Sequence, residues 1–559
     1  FPHGDPIVIK ADPTVAGGAT LVMPYGPFDI IIDDGSHQTK HILGAFEQLF
    51  LKAVKPGGYY CIEDLENFHL PQVEQQQRKD FFLKLVDANQ VRGANLLKRS
   101  YQNDVFNQKV IAPEHGVSSR ASDLEKWVET LEFHRQILCV RKRRLCSDVP
   151  KNDWNCVEGQ SESLPLAPVM PASSVPTLEE LAQKFKTGIK GRTHSETHEL
   201  HFGGDKGCHL HCYTPFYNEK FASVRDMPLK LLEIGVMAGD SLALWSLFFS
   251  RGLIHGVDIA TDTFQRNKDT LKSLGAFPHG DPIVIKADPT VAGGATLVMP
   301  YGPFDIIIDD GSHQTKHILG AFEQLFLKAV KPGGYYCIED LENFHLPQVE
   351  QQQRKDFFLK LVDANQVRGA NLLKRSYQND VFNQKVIAPE HGVSSRASDL
   401  EKWVETLEFH RQILCVRKRR LCSDVPKNDW NCVEGQSESL PLAPVMPASS
   451  VPTLEELAQK FKTGIKGRTH SETHELHFGG DKGCHLHCYT PFYNEKFASV
   501  RDMPLKLLEI GVMAGDSLAL WSLFFSRGLI HGVDIATDTF QRNKDTLKSL
   551  GAFPHGDPI

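Results

Sequence analysis

An identical repeat constrains this chain more than any other feature of its sequence. Residues 1–276 recur without a change as residues 277–552, and residues 553–559 restart the same pattern. Solenoid units are far shorter, at roughly 20–50 residues. The repeat therefore predicts whole enzyme-sized domains in tandem rather than a stack of short units.

The boundaries of the repeated unit are taken from composition, because a tandem array can be divided at any position. A stretch rich in Pro, Ser, Asn and Asp, without periodicity, occurs at 148–176 and again at 424–452. Such composition is typical of linkers. The sequence therefore predicts one complete domain over 177–423, preceded by the C-terminal portion of a copy, 1–147, and followed by an N-terminal portion, 453–559.

Composition and charge exclude several classes of protein. Apolar residues make up 41% of the chain and charged residues 23%, as in ordinary globular proteins. This argues against a disordered, collagen-like or membrane-embedded chain. No apolar run reaches the roughly 18 residues of a membrane span, so no membrane partner is expected. The formal net charge of −7 argues against nucleic-acid binding through bulk charge.

The twelve cysteines lead to an expectation about the cellular setting. No secretory signal opens the chain, so we expect reduced thiols and a cytoplasmic location. The chain does not begin with methionine, and a longer array with a targeting segment of its own stays open.

Short apolar runs alternate with helical patterns along the complete unit. Strands are predicted at 229–235, 254–259, 282–287, 304–308, 335–338 and 409–417. Helices are predicted at 177–186, 241–249 and 317–329, the first with Thr177 and Glu180 as a capping box. This alternation is typical of βαβ units and a parallel sheet, in which ligands bind beyond the carboxyl ends of the strands.

A strand, a glycine-containing loop and a helix follow one another around Glu233. Gly235 and Gly239 would let the backbone approach a ligand closely. Their spacing is not GxGxxG, so the dinucleotide fingerprint fits poorly. Asp258, which ends the next strand, can accept both hydroxyls of a ribose. An acid directly before the loop suits a cationic ligand such as S-adenosylmethionine; the alternative is a packing turn with an incidental glutamate.

Further acidic residues follow the fourth and fifth predicted strands. Asp310 and His313 come after the fourth, and Glu339 and Asp340 after the fifth. Neighbouring parallel strands lie about 4.8 Å apart, so the three carboxylates can converge. Converging carboxylates repel unless they are protonated or hold a cation, and an all-oxygen cluster favours Mg²⁺. Alternatively, the acidic pair caps the next helix and His313 packs on the surface.

The motifs LLEIGVMAGDSLALW, IHGVDIA, IDDGSH and VKPGGYYCIEDL resemble those of the Rossmann-like, S-adenosylmethionine-dependent methyltransferases. More narrowly, they resemble the metal-dependent sugar O-methyltransferases of the mycinamicin and macrocin type, over roughly 202–417. The resemblance implies an α/β fold with a seven-stranded, mostly parallel sheet in the order 3-2-1-4-5-7-6 and helices on both faces, duplicated in tandem. It also implies cofactor contacts, with Asp288 near the adenine. The cofactor residues are Glu233, Gly235, Gly239, Ser241, Asp258, Asp288 and Asp309.

A segment upstream of these motifs completes the resemblance. Gly203-Gly204-Asp205-Lys206-Gly207, with His209, Tyr213 and Tyr217, is similar to a segment of that family, except that Gly204 stands where Thr or Ser is usual. Cys208 and Cys212 have a poor spacing for zinc. We expect this segment to form loop structure over the cofactor.

Together these residues predict a Mg²⁺-assisted O-methyltransferase. Asp310, Glu339 and Asp340 would hold the ion, and His313 would take the proton of the acceptor hydroxyl. A sugar acceptor is implied by the resemblance alone, and a catechol or another small alcohol stays open. The glycine spacing weakens an NAD-dependent oxidoreductase as an alternative, and His313 beside three carboxylates weakens a non-catalytic adenosyl-ligand binder.

The two terminal portions divide the same residues between them. Residues 1–147 contain the counterparts of the metal ligands and base, Asp34, Glu63, Asp64 and His37. Residues 453–559 contain the counterparts of the cofactor residues, Glu509, Gly511, Gly515, Ser517 and Asp534. Neither portion could bury its parallel strands alone. We predict that they dock into a second complete domain, within one chain or between chains; a duplication without functional meaning, arising in the gene model, is the alternative.

Overall fold

The computed structural model describes most of the chain outside the predicted linkers. The described residues are 6–65, 72–100, 123–149, 156–157, 175–184, 186–192, 195–208, 211–341, 347–376, 399–425, 432–433, 451–460, 462–468, 471–478, 480–484 and 486–554. Most of the two linkers, together with His209, lies outside these ranges.

Helices and strands alternate through both repeats. The first segment contains β1 (Ile7–Lys10), α1 (Ala16–Val22), β2 (Phe28–Asp33), α2 (Thr39–Ala53), β3 (Val54–Ile62), α3 (Gln72–Ser100), α4 (Asp123–Trp127), β4 (Val128–His134) and β5 (Ile137–Lys142). The middle segment contains α5 (Leu178–Lys184), β6 (Lys186–Arg192), β7 (Ser195–His201), α6 (Thr214–Phe221), β8 (Lys230–Ile234), α7 (Asp240–Phe248), β9 (Leu253–Asp258), α8 (Asp262–Ser273), β10 (Ile283–Lys286), α9 (Ala292–Val298), β11 (Phe304–Asp309), α10 (Thr315–Ala329), β12 (Val330–Ile338), α11 (Gln348–Ser376), α12 (Asp399–Trp403), β13 (Val404–His410) and β14 (Ile413–Lys418). The last segment contains α13 (Leu454–Lys460), β15 (Lys462–Arg468), β16 (Ser471–His477), α14 (Thr490–Phe497), β17 (Lys506–Ile510), α15 (Asp516–Phe524), β18 (Leu529–Asp534) and α16 (Asp538–Ser549).

One 14-stranded sheet forms the centre of the molecule, in the order β1-β18-β17-β2-β3-β5-β4-β13-β14-β12-β11-β8-β9-β10. From β10 to β12 the strands are parallel, and β14 and β13 then add antiparallel. The expected mostly parallel α/β sheet is therefore confirmed. When β8 to β14 are numbered 1 to 7 along the chain, they cross the sheet in the order 3-2-1-4-5-7-6.

Residue patterns explain why these elements form. The strand β11 (FDIIID) is buried along its whole length, as a central parallel strand requires. Helix α10 buries residues three and four apart, including Ile318, Phe322 and Leu325, and so presents one apolar face to the sheet. Thr177 and Glu180 form the predicted capping box before α5. No helix in the described part of the chain is long and apolar enough to cross a membrane.

The two ends of the chain build the other half of the sheet together. Strand β17 pairs in parallel with β2, from Leu507 opposite Ile30 to Ile510 opposite Asp33. Strand β18 pairs in the same way with β1. We call residues 177–423 the central copy, and residues 6–149 with 451–554 the terminal copy.

The two copies meet along one antiparallel strand pair. Strand β4 of the terminal copy pairs with β13 of the central copy, with Glu132 opposite Glu408, its own counterpart in the repeat. The rings of Phe133 and Phe409, also counterparts, meet edge to face with centroids 6.2 Å apart. The copies are therefore related by an approximate two-fold axis through this pair.

The single strand predicted at 409–417 is wrong. Strand β13 ends at His410 and β14 begins at Ile413, with Arg411 at a positive φ of 50° in the turn between them. The apolar residues on both sides of His410-Arg411 gave the appearance of one continuous run. The turn contains no glycine or proline to mark it.

The expectation of reduced thiols is also wrong. All twelve cysteines are in disulfides: Cys61–Cys139, Cys146–Cys156, Cys208–Cys212, Cys337–Cys415, Cys422–Cys432 and Cys484–Cys488. The register of β12 and β14 sets Cys337 directly opposite Cys415, 78 residues along the chain. That proximity depends on the β13–β14 hairpin, where the sequence predicts a single strand.

Candidate active site

The predicted site residues of the central copy lie at or just beyond the carboxyl ends of the five parallel strands β8 to β12. The sheet hydrogen bonds continue one residue beyond the strands: the Asp310 amide donates to the Ile234 carbonyl at 3.0 Å, and the Glu339 amide donates to the Asp309 carbonyl at 3.0 Å. This register sets Asp310 and Glu339 side by side at one level of the sheet.

Lys206, which is not among the predicted site residues, lies among these acids. The Lys206 ammonium is 2.6 Å from Asp310 Oδ2, 2.8 Å from Glu339 Oε2 and 3.3 Å from Glu233 Oε1. Its side chain is 0% exposed. Lys206 comes from residues 203–208, which we call the lysine loop.

Asp310, His313 and Asp340 form a second group beside the lysine. His313 Nε2 lies 3.8 Å from Asp310 Oδ1 and 3.5 Å from Asp340 Oδ2. One donor atom of each residue lies within 4.8 Å of the others, close enough to share a metal ion. His313 (φ 58°) and Asp340 (φ 53°) both adopt left-handed backbone conformations, which are costly for such residues and are enriched at functional sites.

Side chains from two other segments hold Asp340 in place. The Tyr213 hydroxyl donates to Asp340 Oδ1 and lies 3.2 Å from Gln412 Oε1, while His211 Nδ1 is 3.4 Å from Asp340 Oδ1. Arg411, buried in the β13–β14 turn, donates to the carbonyl of His211 at 2.9 Å. The β13–β14 hairpin, whose first strand forms part of the junction between the copies, thus supports the site.

The donor set suits Mg²⁺ or a similar hard cation. Oxygen atoms dominate it, with one imidazole nitrogen. Glu339 Oε1 is buried and has no partner at hydrogen-bonding geometry among the described residues, although the Tyr217 hydroxyl interacts with the Glu339 carboxylate. An orphaned carboxylate oxygen of this kind is costly unless a cation or a proton satisfies it. Asp310 and Asp340, which were predicted as ligands, and His313 are therefore close enough together to hold a divalent ion, whereas Glu339, also predicted as a ligand, lies outside that group.

Burial and neighbouring charges set the protonation of this cluster. Burial raises the pKa of Glu339 well above its usual value, with Lys206 opposing it, and raises that of Asp310 in the same way. Burial would also raise the pKa of Asp340, but His211 and His313 outweigh it and lower the value. Burial likewise raises the pKa of Glu233 to about 7 against the pull of Lys206.

The two loop glycines serve close packing against the protein itself. A Cβ on Gly235 (φ 90°) would lie 2.1 Å from the Asp310 carbonyl oxygen, and one on Gly239 (φ 87°) would lie 2.4 Å from the Phe264 ring. Gly235 therefore lets residues 235–239, the glycine loop, touch the start of residues 310–313, the acidic loop. This contact brings the predicted cofactor and metal residues together.

Asp258 and Ser241 brace the same loop. Asp258 Oδ2 accepts from the amides of Val236 at 2.8 Å and Met237 at 3.0 Å, and Oδ1 accepts from Ala260 at 2.9 Å. Ser241 donates to Glu233 Oε2 at 2.6 Å. Both predicted cofactor residues thus also have structural partners within the loop.

Asp288 and Asp309 occupy different surroundings from each other. Asp288 Oδ1 accepts from the amide of Thr290 at 3.0 Å and from its hydroxyl at 2.7 Å, in an exposed turn after β10. Asp309 is buried, accepts from the Tyr336 hydroxyl at 2.8 Å, and has its pKa raised to about 6 by burial. Its carboxylate is therefore engaged in the core.

The terminal copy assembles the same arrangement from both ends of the chain. Lys482 lies 2.6 Å from Asp34, 2.9 Å from Glu63 and 3.3 Å from Glu509. His37 lies 3.8 Å from Asp34 and 3.5 Å from Asp64. The corresponding glycine loop has Gly511 and Gly515 at positive φ, Ser517 in the first turn of α15, and Asp534 bonded to the Val512 and Met513 amides.

Known proteins similar to this chain are O-methyltransferases. The 8-demethyl-8-alpha-L-rhamnosyl tetracenomycin-C 2'-O-methyltransferase of Streptomyces olivaceus is 34% identical over 227 residues, covering 39% of this chain and 53% of that protein. Demethylmacrocin O-methyltransferase of Streptomyces fradiae is 37% identical over 145 residues, covering 25% and 34%. The resemblance to macrocin-type enzymes stated from the motifs is confirmed by these relatives.

Solved structures and family models complete the comparison. The MycE methyltransferase from the mycinamycin biosynthetic pathway, in complex with Mg and SAH, is 25% identical, covers 48% of this chain and 58% of its own, and has a TM-score of 0.32. No protein-family model matches the chain. The chain matches about half the length of the first relative and about a third of the second.

Proposed function

We propose that the central copy is an S-adenosylmethionine-dependent, Mg²⁺-assisted O-methyltransferase site for a hydroxyl of a small molecule. The observation that carries the proposal is the convergence of Asp310, His313 and Asp340 within 4.8 Å, next to the buried orphan oxygen of Glu339. The name of the Streptomyces olivaceus relative specifies a rhamnosyl group on its substrate, which favours a sugar or glycosylated metabolite as acceptor.

The chain's own residues have separate tasks in this proposal. Glu233, which accepts from Ser241, and the glycine loop would bind the methyl donor, and Asp258 would keep that loop closed. Asp310, Glu339 and Asp340 would hold the ion, which when bound lowers the pKa of a coordinated hydroxyl. His313, whose side chain is 24% exposed, would accept the hydroxyl proton at Nε2.

We extend the proposal to the terminal copy as a second site. Asp34, His37, Glu63 and Asp64 from the first segment would work with Lys482 and Glu509 from the last, at the distances found in the central copy. The chain would then bind two donor molecules. The proposal thus includes two seven-stranded methyltransferase domains in one chain, produced by the tandem duplication.

The experiment combines a labelled-methyl transfer assay over a panel of sugar, catechol and simple alcohol acceptors with calorimetry of SAH binding. We expect transfer that EDTA abolishes and Mg²⁺ restores, and two SAH molecules per chain. The variant D310N should retain about half the activity, because the terminal site remains, and D34N/D310N should lose nearly all of it.

Other outcomes would favour the alternatives. Binding of SAH without transfer to any acceptor would favour a non-catalytic adenosyl-ligand binder, and tight NAD binding with hydride transfer would favour an oxidoreductase. One SAH per chain would contradict the second site. A cytoplasmic location stays a prediction, although the disulfides argue against the reduced thiols on which it rests. We also still predict that the protein has no nucleic-acid or membrane partner and that its chains self-associate.

A further inference from the structure

The lysine loop brings a fixed cation into the centre of the acidic cluster. Lys206 Nζ contacts one oxygen each of Asp310, Glu339 and Glu233, and its side chain has no exposed surface. Carboxylates that share one ammonium lie close enough to repel one another strongly in its absence. The lysine therefore offsets part of the repulsion among these acids.

The oxygens that Lys206 leaves uncontacted face elsewhere. Asp310 offers Oδ2 to the lysine, while Oδ1 lies on the His313 side at 3.8 Å. Glu339 offers Oε2, while Oε1 has no partner at hydrogen-bonding geometry among the described residues. The lysine thus uses one oxygen of each carboxylate and leaves the other available.

The backbone of the lysine loop holds Lys206 in one position. The Lys206 amide donates to the Gly203 carbonyl at 2.8 Å, and its own carbonyl accepts from Tyr213 at 2.8 Å and Thr214 at 3.2 Å. Glu179 fixes the end of the loop by accepting from the Cys208 amide at 3.1 Å. These bonds fix the backbone from which the Lys206 side chain reaches the carboxylates.

We propose that Lys206, with Lys482 in the terminal copy, is a positioning residue of the metal site: it clamps one oxygen of each flanking carboxylate and so presents the other to a divalent cation. The inference rests on the proposed function for the metal and extends it to a residue outside the ligand set. Partners that orient metal ligands in this manner typically contribute about 10–100-fold to metal affinity.

The test is calorimetric titration of the full chain with Mn²⁺, without donor or acceptor. We expect K206M/K482M to bind Mn²⁺ about 10–100-fold more weakly than the wild type. The matched control is K55M/K331M, because Lys331 holds Asp305 at 2.8 Å at the opposite end of β11 and Lys55 does the same in the terminal copy. The control should bind Mn²⁺ as the wild type does.

Equal or tighter Mn²⁺ binding by K206M/K482M would overturn the proposal, since the lysine would then be a competitor for the ion or a packing residue. If that variant fails to fold, K206R/K482R decides, because arginine keeps the charge but not the compact ammonium geometry. Wild-type Mn²⁺ affinity in the arginine variant would overturn the proposal, and weaker binding supports it. Absence of Mn²⁺ binding by the wild type would instead refute the proposed metal site itself.

Discussion

Replacing Gly235 by alanine tests whether the contact between the glycine loop and the acidic loop organises the site. The new Cβ would lie 2.1 Å from the Asp310 carbonyl oxygen and 2.8 Å from its carbonyl carbon. Ordinary contact needs more than 3 Å, so the two loops must separate by about 1 Å, at an overpacking cost of about 1–3 kcal/mol. The positive φ of 90° adds about 1 kcal/mol for a residue with a Cβ.

We therefore expect G235A/G511A to destabilise each copy by about 2–4 kcal/mol. Displacing Asp310 by about 1 Å should also lower methyl transfer on the order of 100-fold. Thermal unfolding and the transfer assay measure these two effects separately. Both copies must be changed, because a Cβ on Gly511 would lie 2.1 Å from the Asp34 carbonyl oxygen and an unaltered copy would mask the loss.

The control for this experiment is G17A/G293A. Gly293 lies in α9, and a Cβ at either position would meet no atom within 4 Å. Alanine should be neutral or stabilise the helix by about 0.5–1 kcal/mol. If G235A/G511A kept the melting temperature and turnover of this control, the close approach of the two loops would have no functional weight.

Three further predictions concern other parts of the molecule. The variant H313A, made in both copies, should lower turnover on the order of 10²–10⁴-fold while SAH binding is kept; unchanged turnover would remove His313 as the base. Burial lowers the pKa of His134 and His410 well below the usual value, and the positive charge of nearby arginines lowers it further. At low pH these two histidines therefore bind protons in the unfolded chain but not in the folded protein. The free energy of unfolding should fall by about 1.4 kcal/mol per pH unit for each histidine as the pH drops below about 6.5. Phenylalanine at both positions should flatten that part of the stability profile measured by urea unfolding. Finally, the Cys208–Cys212 disulfide closes the segment that follows Lys206, so serine at both positions and at their counterparts should weaken Mn²⁺ binding; an unchanged Mn²⁺ isotherm would show that the disulfide has no part in the site.

The sequence predicted those site residues whose position depends on the strands. A buried run such as FDIIID can only be a central strand, so Asp310 had to follow its end, and the same holds for Glu339 and Asp340 after β12. Parallel pairing then aligned the ends. No side-chain detail was needed to expect these carboxylates together.

Lys206 was missed for a physical reason. It lies 104 residues from Asp310 and 133 from Glu339, on a loop rather than a strand, so no periodicity indicates where it points. A group of buried carboxylates requires positive charge, but the sequence-based prediction supplies that charge with a metal ion alone. The signal that could have found Lys206 was the lysine inside the glycine-rich segment GGDKG, a place where the backbone can come close to the site.

The junction between the copies follows from the same repeat that opened the question. Without the other copy, each copy would end its sheet in a strand with an unpaired outer edge, and such edges tend to pair with another strand. An antiparallel pair of identical strands is symmetric, so Glu132 must face Glu408, and like charges directly opposite are destabilising. Lys496 neutralises Glu132 and Lys220 neutralises Glu408, one lysine from each copy. Because every copy has both the glutamate and its lysine, this edge is self-complementary wherever the array is divided, and copies on separate chains would have the same surface available for association.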